Sequence, residues 1–324
     1  MENTRVAILF GKLSDDPTED EKDVLDEIEN VTKHLIMLGY EPFNVPFSLD
    51  IPGVIKQLKA IDPLFVFNLV ESVEGKGELQ IMSPIILHHL NLRYTGVPLE
   101  ALHITTNKVM TKQYLRLMGV NTPDWWYLHE TDKLDPSRKY ILKPRCEDAS
   151  LGLNDLNVFQ GSDTTFIKKL KDLNPRDYFI EAYLEGREIN QAILGGKEGP
   201  ILFPTSEILF ENYPEGKPKI IGYESKWFMD SFEYLNTPRT FEFARKDKAM
   251  VEQVRNDSMR VWNEFGMKGY ARLDWRTDEN NIPYVLEVNG NPCITEESGF
   301  WSTAEEAGMS FLEVVRKIVE DVLV

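Results

Sequence analysis

The sequence predicts an α/β protein: a doubly wound parallel sheet over the first hundred residues, then an α+β remainder. Three observations carry that prediction. Short apolar strands alternate with amphipathic helices as far as Ile104, the pattern of a parallel sheet covered on both faces. The alternation breaks at Thr105, and strands dominate from "REINQAILGG" onward. Near the C-terminus "YARLDWR" and "IPYVLEVNG" flank the turn "TDENN" and read as a hairpin with polar residues on one face.

The elements follow in order. "RVAILFG" is a strand ending in glycine, and "EDEKDVLDEIENVTKHLIMLG" sets Val24, Ile28, Val31, Leu35 and Leu38 at helical spacing before Gly39. "EPFNVPF" is a second strand, "GVIKQLKAI" a helix, "PLFVFNL" a third strand, "LQIMSPIILHHL" a helix and "LRYTG" a fourth strand. "TTNKVMTKQYLRLMG" reads as one helix with a threonine cap and a terminal glycine. "YILKPR" (strand), "DTTFIKKLKDL" (helix) and "DYFIEAYLEG" (strand and turn) complete a small α+β unit. "PILFPTSEIL" and the hairpin strands come next, with a long helix at 246–265 and a C-terminal helix from 303. The economical division is three domains: 1–104, 105–185 and 186–324.

Composition narrows the function. The 324 residues carry 36 basic and 53 acidic side chains, a net charge of −17, which argues against a nucleic-acid or anionic-membrane surface. Cys146 and Cys293 lie far apart with no metal spacing, as in a reduced intracellular protein. The start lacks a signal peptide's apolar run, and no segment approaches about 18 uninterrupted apolar residues, so the expected location is the cytoplasm. Phosphate-loop, G-x-G-x-x-G, H-E-x-x-H, G-x-S-x-G and kinase motifs are all missing from the sequence.

What remains is the hairpin. In "YARLDWR", Ala271, Leu273 and Trp275 alternate with Arg272, Asp274 and Arg276. In "YVLEVNGNPCIT", Tyr284, Leu286 and Val288 share one face, and Val285, Glu287 and Asn289 the other. Paired strands would bring Asp274, Glu287 and Asn289 together beside Arg272, a hard-oxygen set suited to Mg²⁺ and phosphate. A solvated hairpin face with cross-strand ion pairs is the competing account. Lys143 ends a strand in "YILKP", and Lys226 sits in "YESKWF". Lys108 starts a helix, where a cation opposes the macrodipole unless it meets an anion; a plain surface role for each lysine stays open. Glu181 and Glu188 flank the turn of "FIEAYLEGRE", suited to an adenine amino group and a ribose, or simply exposed.

Together these segments resemble the ATP-grasp superfamily, and within it the D-alanine–D-alanine ligase branch, along nearly the whole chain and in the family's order. "VFNLVESVEGKGELQ…LNLRYTG" is similar to the end of the family's N-terminal domain, "TTNKVMTKQYLRLMGVNTP" to its first ATP-site helix and "YILKPRCEDASLG" to its strand and flap. "FIEAYLEGREI" is similar to the adenine hinge and "ARLDWR…YVLEVNGNPCIT" to the metal hairpin. The resemblance implies an ATP-grasp fold and an ATP-dependent ligase that activates a carboxylate as an acyl phosphate and joins it to the amine of an amino acid. It implies that Lys108 and Lys143 hold phosphates under a flap at 147–152 that includes Ser150. Glu181 would meet adenine with the backbone of Ala182, Tyr183 and Leu184, and Glu188 would take the ribose. Asp274, Glu287 and Asn289 would hold two Mg²⁺ ions (Mn²⁺ as a substitute), Lys226 would reach the γ-phosphate, and Arg272 and Ser298 would serve catalysis and the acceptor. A homodimer is the expectation by analogy.

The departures concern the donor. Glu21 would stand for the family's N-terminal glutamate, but Ala149 replaces the flap serine, Trp227 replaces a tyrosine, and "NLVES" replaces a glycine-rich loop. A donor other than D-alanine is therefore expected, with a D-alanine–D-alanine ligase as the alternative, and a non-catalytic nucleotide binder or small-molecule kinase behind both.

Overall fold

The computed structural model describes residues 3–147, 150–296 and 298–323. The first sheet comprises β1 (Arg5–Gly11), β2 (Glu41–Phe47) and β3 (Phe65–Leu69), all parallel in the order β2-β1-β3. Between and after them run α1 (Glu19–Met37), α2 (Ile51–Ile61) and α3 (Met82–His89). The strands' period of two divides their side chains between two cores. Val6, Ile8, Phe65 and Phe67 pack with Ile28, Val31 and Leu35 of α1, while Ala7, Leu9, Val45 and Val66 pack with Val54 and Leu58 of α2. Both faces are covered, as a parallel sheet requires. The expected fourth strand shrinks to one bridge, Val66 to Tyr94. Left-handed backbone at Asn91 (φ 54°) and Gly96 (φ 91°) turns the chain on either side.

The helix read across residue 105 is two helices, α4 (Leu99–Thr106) and α5 (Lys108–Leu117). Asn107, not a threonine, is the cap: its backbone is extended and its side chain accepts from the Met110 amide at 3.1 Å. Thr106 Oγ1 instead donates back to the Leu102 carbonyl.

An antiparallel sheet of β4 (Trp125–Trp126), β5 (Lys139–Pro144), β6 (Val158–Gln160) and β7 (Tyr178–Ala182), ordered β4-β7-β5-β6, packs against α6 (Thr164–Leu170). The third sheet contains β8 (Glu188–Leu194), β9 (Ile201–Leu202), β10 (Ser206–Ile208), β11 (Arg239–Thr240), β12 (Tyr270–Thr277) and β13 (Pro283–Asn289). Its order is β11-β10-β8-β12-β13, with β9 on β8. Short α7 (Glu224–Trp227) and α8 (Phe232–Leu235) precede the long α9 (Lys248–Glu264).

The C-terminal helix read from 303 is also split, into α10 (Gly299–Glu306) and α11 (Phe311–Leu323), at a left-handed Gly308. α11 returns to the first sheet: Phe311, Val315 and Ile318 join the core of Val6 and Ile8, and the His34 and Phe311 rings lie 4.7 Å apart. Among the described residues no helix is long and apolar enough to cross a membrane.

Candidate active site

The hairpin register sets Asp274 opposite Glu287 and Arg272 opposite Asn289. β12 alternates as its sequence predicts, with Ala271, Leu273 and Trp275 in the core and Arg272, Asp274 and Arg276 bordering a cavity. β13 does not. The register slips after Asp274, so Trp275 pairs with Val285 and Leu286 is an extra residue. Leu286 then borders the cavity beside Glu287 and Asn289, while Val285 and Val288 both enter the core. The expected common face of Tyr284, Leu286 and Val288 is thus broken, because a bulge shifts the phase of a strand.

All the site residues read from the sequence, from Glu21 to Ser298, border this one cavity of about 740 Å³. Ala149 lies outside the described residues. At one end the cations and anions are matched. Lys108 Nζ lies 3.0 Å from Glu287 Oε2 and donates to the Glu147 carbonyl at 2.6 Å; its anion at the start of α5 is this carboxylate. Burial would raise the Glu287 pKa, but Lys108, Lys226 and Lys143 together outweigh it and bring it down to about 2. Glu147 in turn accepts from the Gly77 amide at 3.2 Å. A Cβ on Gly77 would sit 2.4 Å from the Cys146 carbonyl, so only glycine lets the loop meet the flap this closely.

Glu181 differs from expectation. Its carboxylate is clasped by Lys143, at 2.6 Å, and by the fully buried Lys112. Burial raises its pKa, and the two lysines more than reverse that. Burial pushes Lys112 down to about 8 despite Glu181. One oxygen accepts from Lys143 and the other lies beside Lys112, so in this structure the Glu181 carboxylate helps to fix Lys143. The Lys112 ammonium also donates to Thr122 Oγ1 at 2.8 Å.

At the hinge, the Ala182 and Tyr183 amides donate to the carbonyls of Asp124 and Lys139, and the Leu184 carbonyl accepts from Arg276 Nε. Among the described residues the Tyr183 carbonyl and Leu184 amide are the hinge groups left without a hydrogen bond. Glu188 pairs with Arg276, and burial, only partly offset by that guanidinium, raises its pKa. Ser150, in left-handed backbone, donates its hydroxyl to the Ile221 carbonyl at 2.7 Å, tying the flap to the opposite wall.

Arg272 grips Asp274 with two bonds of 2.8 Å, and Asn190 Nδ2 donates to the same carboxylate at 2.8 Å. Ser298 caps α10 by accepting from the Trp301 amide. Lys226 and Trp227 border the cavity from α7. Glu21 is spent locally, accepting from Ser14 Oγ at 2.7 Å and the Thr18 amide at 3.0 Å as the capping glutamate of α1. The acids of α1 that face the segment after β13 are Asp23, which accepts from Cys293 Sγ, and Glu27, which accepts from the Ile294 amide.

Sequence reasoning missed Lys112, Arg239 and Arg276 as site residues. Lys112 carries a signal, a lysine on the same helix stripe as Lys108 and Leu115. Arg239, on the edge strand β11, carries none.

Asp274, Glu287 and Asn289 fit a hard divalent cation: their oxygens converge across one register and Glu287 is held ionised. Among the described residues no cluster of three His, Cys, Asp or Glu side chains forms, so such an ion would complete its shell from phosphate and water.

A cavity walled by two antiparallel sheets, with lysines on one wall and paired acids on a hairpin of the other, fits the ATP-grasp class. The chain belongs to the D-alanine–D-alanine ligase family: the profile described as "D-ala D-ala ligase C-terminus" matches residues 119–320. The D-alanine–D-alanine ligase of Pseudothermotoga lettingae is 30% identical over 321 residues, covering 98% of each chain. That of Aquifex aeolicus is 27% identical, covering 97% of this chain and 99% of its own. Among solved structures, the Bacillus anthracis D-alanine–D-alanine ligase complexed with ATP superposes with a TM-score of 0.74 at 22% identity, covering 99% of this chain and 97% of that one. The protein is an ATP-dependent ligase that forms a carbon–nitrogen bond, and ATP and divalent metal are the cofactors typical of its family.

Proposed function

We propose that this protein joins two molecules of D-alanine, converting ATP to ADP and phosphate. The observation that carries the proposal is the convergence of Asp274, Glu287, Lys108 and Arg272 in one cavity, opposite Ser298 at the start of α10. Its further support is that D-alanine–D-alanine ligases match the chain from end to end.

Lys108 and Lys143 would neutralise phosphate oxygens, Lys226 the γ-phosphate, and Ser150 would hold the flap. The Leu184 amide and Tyr183 carbonyl would bind the adenine edge, Glu188 the ribose. Asp274, Glu287 and Asn289 would hold one or two Mg²⁺ ions, which when bound neutralise phosphate charge. A donor carboxylate oxygen attacks the γ-phosphorus and ADP leaves. The acceptor amine then adds to the acyl phosphate carbonyl, Arg272 steadies the oxyanion, and phosphate departs as the amine loses its proton. The work is alignment and charge neutralisation. The same reading takes the protein as cytoplasmic and dimeric.

Two features favour a second reading, a donor other than D-alanine: Trp227 borders the cavity and Glu21 is engaged in its own helix cap. Phosphate release is the test. Turnover with ATP and D-alanine alone supports the first reading. Turnover that needs D-alanine plus another carboxylate supports the second, and silence across a panel of carboxylate and amino-acid pairs overturns both.

A further inference from the structure

Several cations in and around this cavity are paired with carboxylates, and Arg239 stands apart from them. Among the described residues Lys108, Lys112, Lys143, Arg187 and Arg276 each meet a carboxylate. Arg239, which borders the same cavity from β11, meets none. Its Nη1 donates to two neutral oxygens, Asn190 Oδ1 at 3.0 Å and Ser206 Oγ at 2.5 Å. Its Nε and Nη2 make no hydrogen bond among the described residues. Burial, with the like charge of Arg272 adding to it and Asp274 only partly opposing, presses its pKa down to about 10. A guanidinium held in a wall beside a second guanidinium is unfavourable unless an anion arrives.

The geometry says where the anion would sit. A Cβ on Gly299 would lie 2.6 Å from Arg239 Nη2 and 3.5 Å from Arg272 Nη1. The two guanidinium ends therefore converge on one point, and that point is the first residue of α10. The glycine leaves room there for Nη2 to approach. Helix amides, Arg239 and Arg272 thus aim positive charge at a single small volume. A planar carboxylate matches a guanidinium's paired donors.

We propose that Arg239 is a specificity-determining residue of the acceptor half-site, where its Nη2 receives the carboxylate of the amino acid whose amine attacks. The proposal rests on the ligase reading above. Asn190 adds a link that a simple anchor would lack, since it accepts from Arg239 and donates to Asp274. Seating the acceptor is thereby tied to the position of a carboxylate at the reacting end.

The test compares two nucleophiles on one enzyme. Hydroxylamine intercepts an acyl phosphate without needing a carboxylate pocket, whereas D-alanine as acceptor needs one. The donor is D-alanine, or whichever carboxylate gives most hydroxamate with the unaltered protein. In Arg239→Gln the KM for D-alanine as acceptor rises at least tenfold, and the ratio of amide to hydroxamate product falls at least tenfold. Arg239→Lys, which keeps the charge, recovers part of that ratio, which a purely structural role would not predict. An unchanged ratio in Arg239→Gln, including an equal loss of both products, overturns the proposal. Should the unaltered protein form neither product with any donor, the ligase reading itself fails, and this proposal with it.

Discussion

The two ends of the cavity differ in how their charge is kept. At the proposed nucleotide end two of the lysines assigned to phosphate are already held by carboxylates: Lys108 by Glu287 and Lys143 by Glu181, with Lys112 behind. At the proposed acceptor end Arg239 rests on neutral oxygens. The first arrangement lets incoming phosphates and metal exchange partners within a standing network. The second leaves binding of the acceptor to supply the missing charge. Preorganisation and selectivity are thus placed in separate parts of one cavity.

The sharpest way to break the comparison is to disable the standing network. Asp274→Asn removes a charge gripped by Arg272 and Asn190, and kcat is expected to fall about 10³-fold, with a lowered thermal midpoint because Arg272 loses its buried partner. Steady-state kinetics beside circular dichroism checks this. Glu181→Gln deprives two lysines of their counter-charge, costing about 3–5 kcal/mol of stability in urea titration. Adding Lys112→Met to that chain is expected to restore part of the loss, and an additive double mutant would show the triad to be unimportant.

A smaller effect comes from the buried Glu27, whose pKa burial raises to about 8. An acid with a folded pKa above its unfolded one is penalised once the unfolded form ionises, so stability falls as pH rises from about 5 to 8. Glu27→Gln is expected to flatten that fall, gaining on the order of 2 kcal/mol at pH 8 and little at pH 5, read from thermal midpoints across pH. The smallest effect is on the flap. Gly77→Ala presses on the Cys146 carbonyl, and a rise in the KM for ATP of about tenfold, one to two kcal/mol of lost binding, is expected with the acceptor KM little altered.

How much of this the sequence displays depends on how local each feature is. The faces of β12 are legible because regular alternation is a property of the strand itself. The bulge at Leu286 is not, since it exists only in the pairing of β13 with β12. The break between α4 and α5 is half legible: Asn107 is a strong cap, but the threonines beside it compete for the role. The residues of the cavity are recognisable because they lie on motifs that fold together in order. Their pairings are not. That Glu181 lies between Lys112 and Lys143 is visible only in the fold, and Arg239 acquires meaning only where β8, β11 and α10 meet.

The helix α11 has a consequence for how the chain is made. One face of the first sheet is covered partly by Phe311, Val314, Val315 and Ile318, residues synthesised some three hundred positions after β1. During translation that face waits, apolar and half dressed, while the two later sheets form. The circuit closes only when α11 emerges, so shortening the chain at Gly308 would expose an aggregation-prone surface at the opposite end of the sequence.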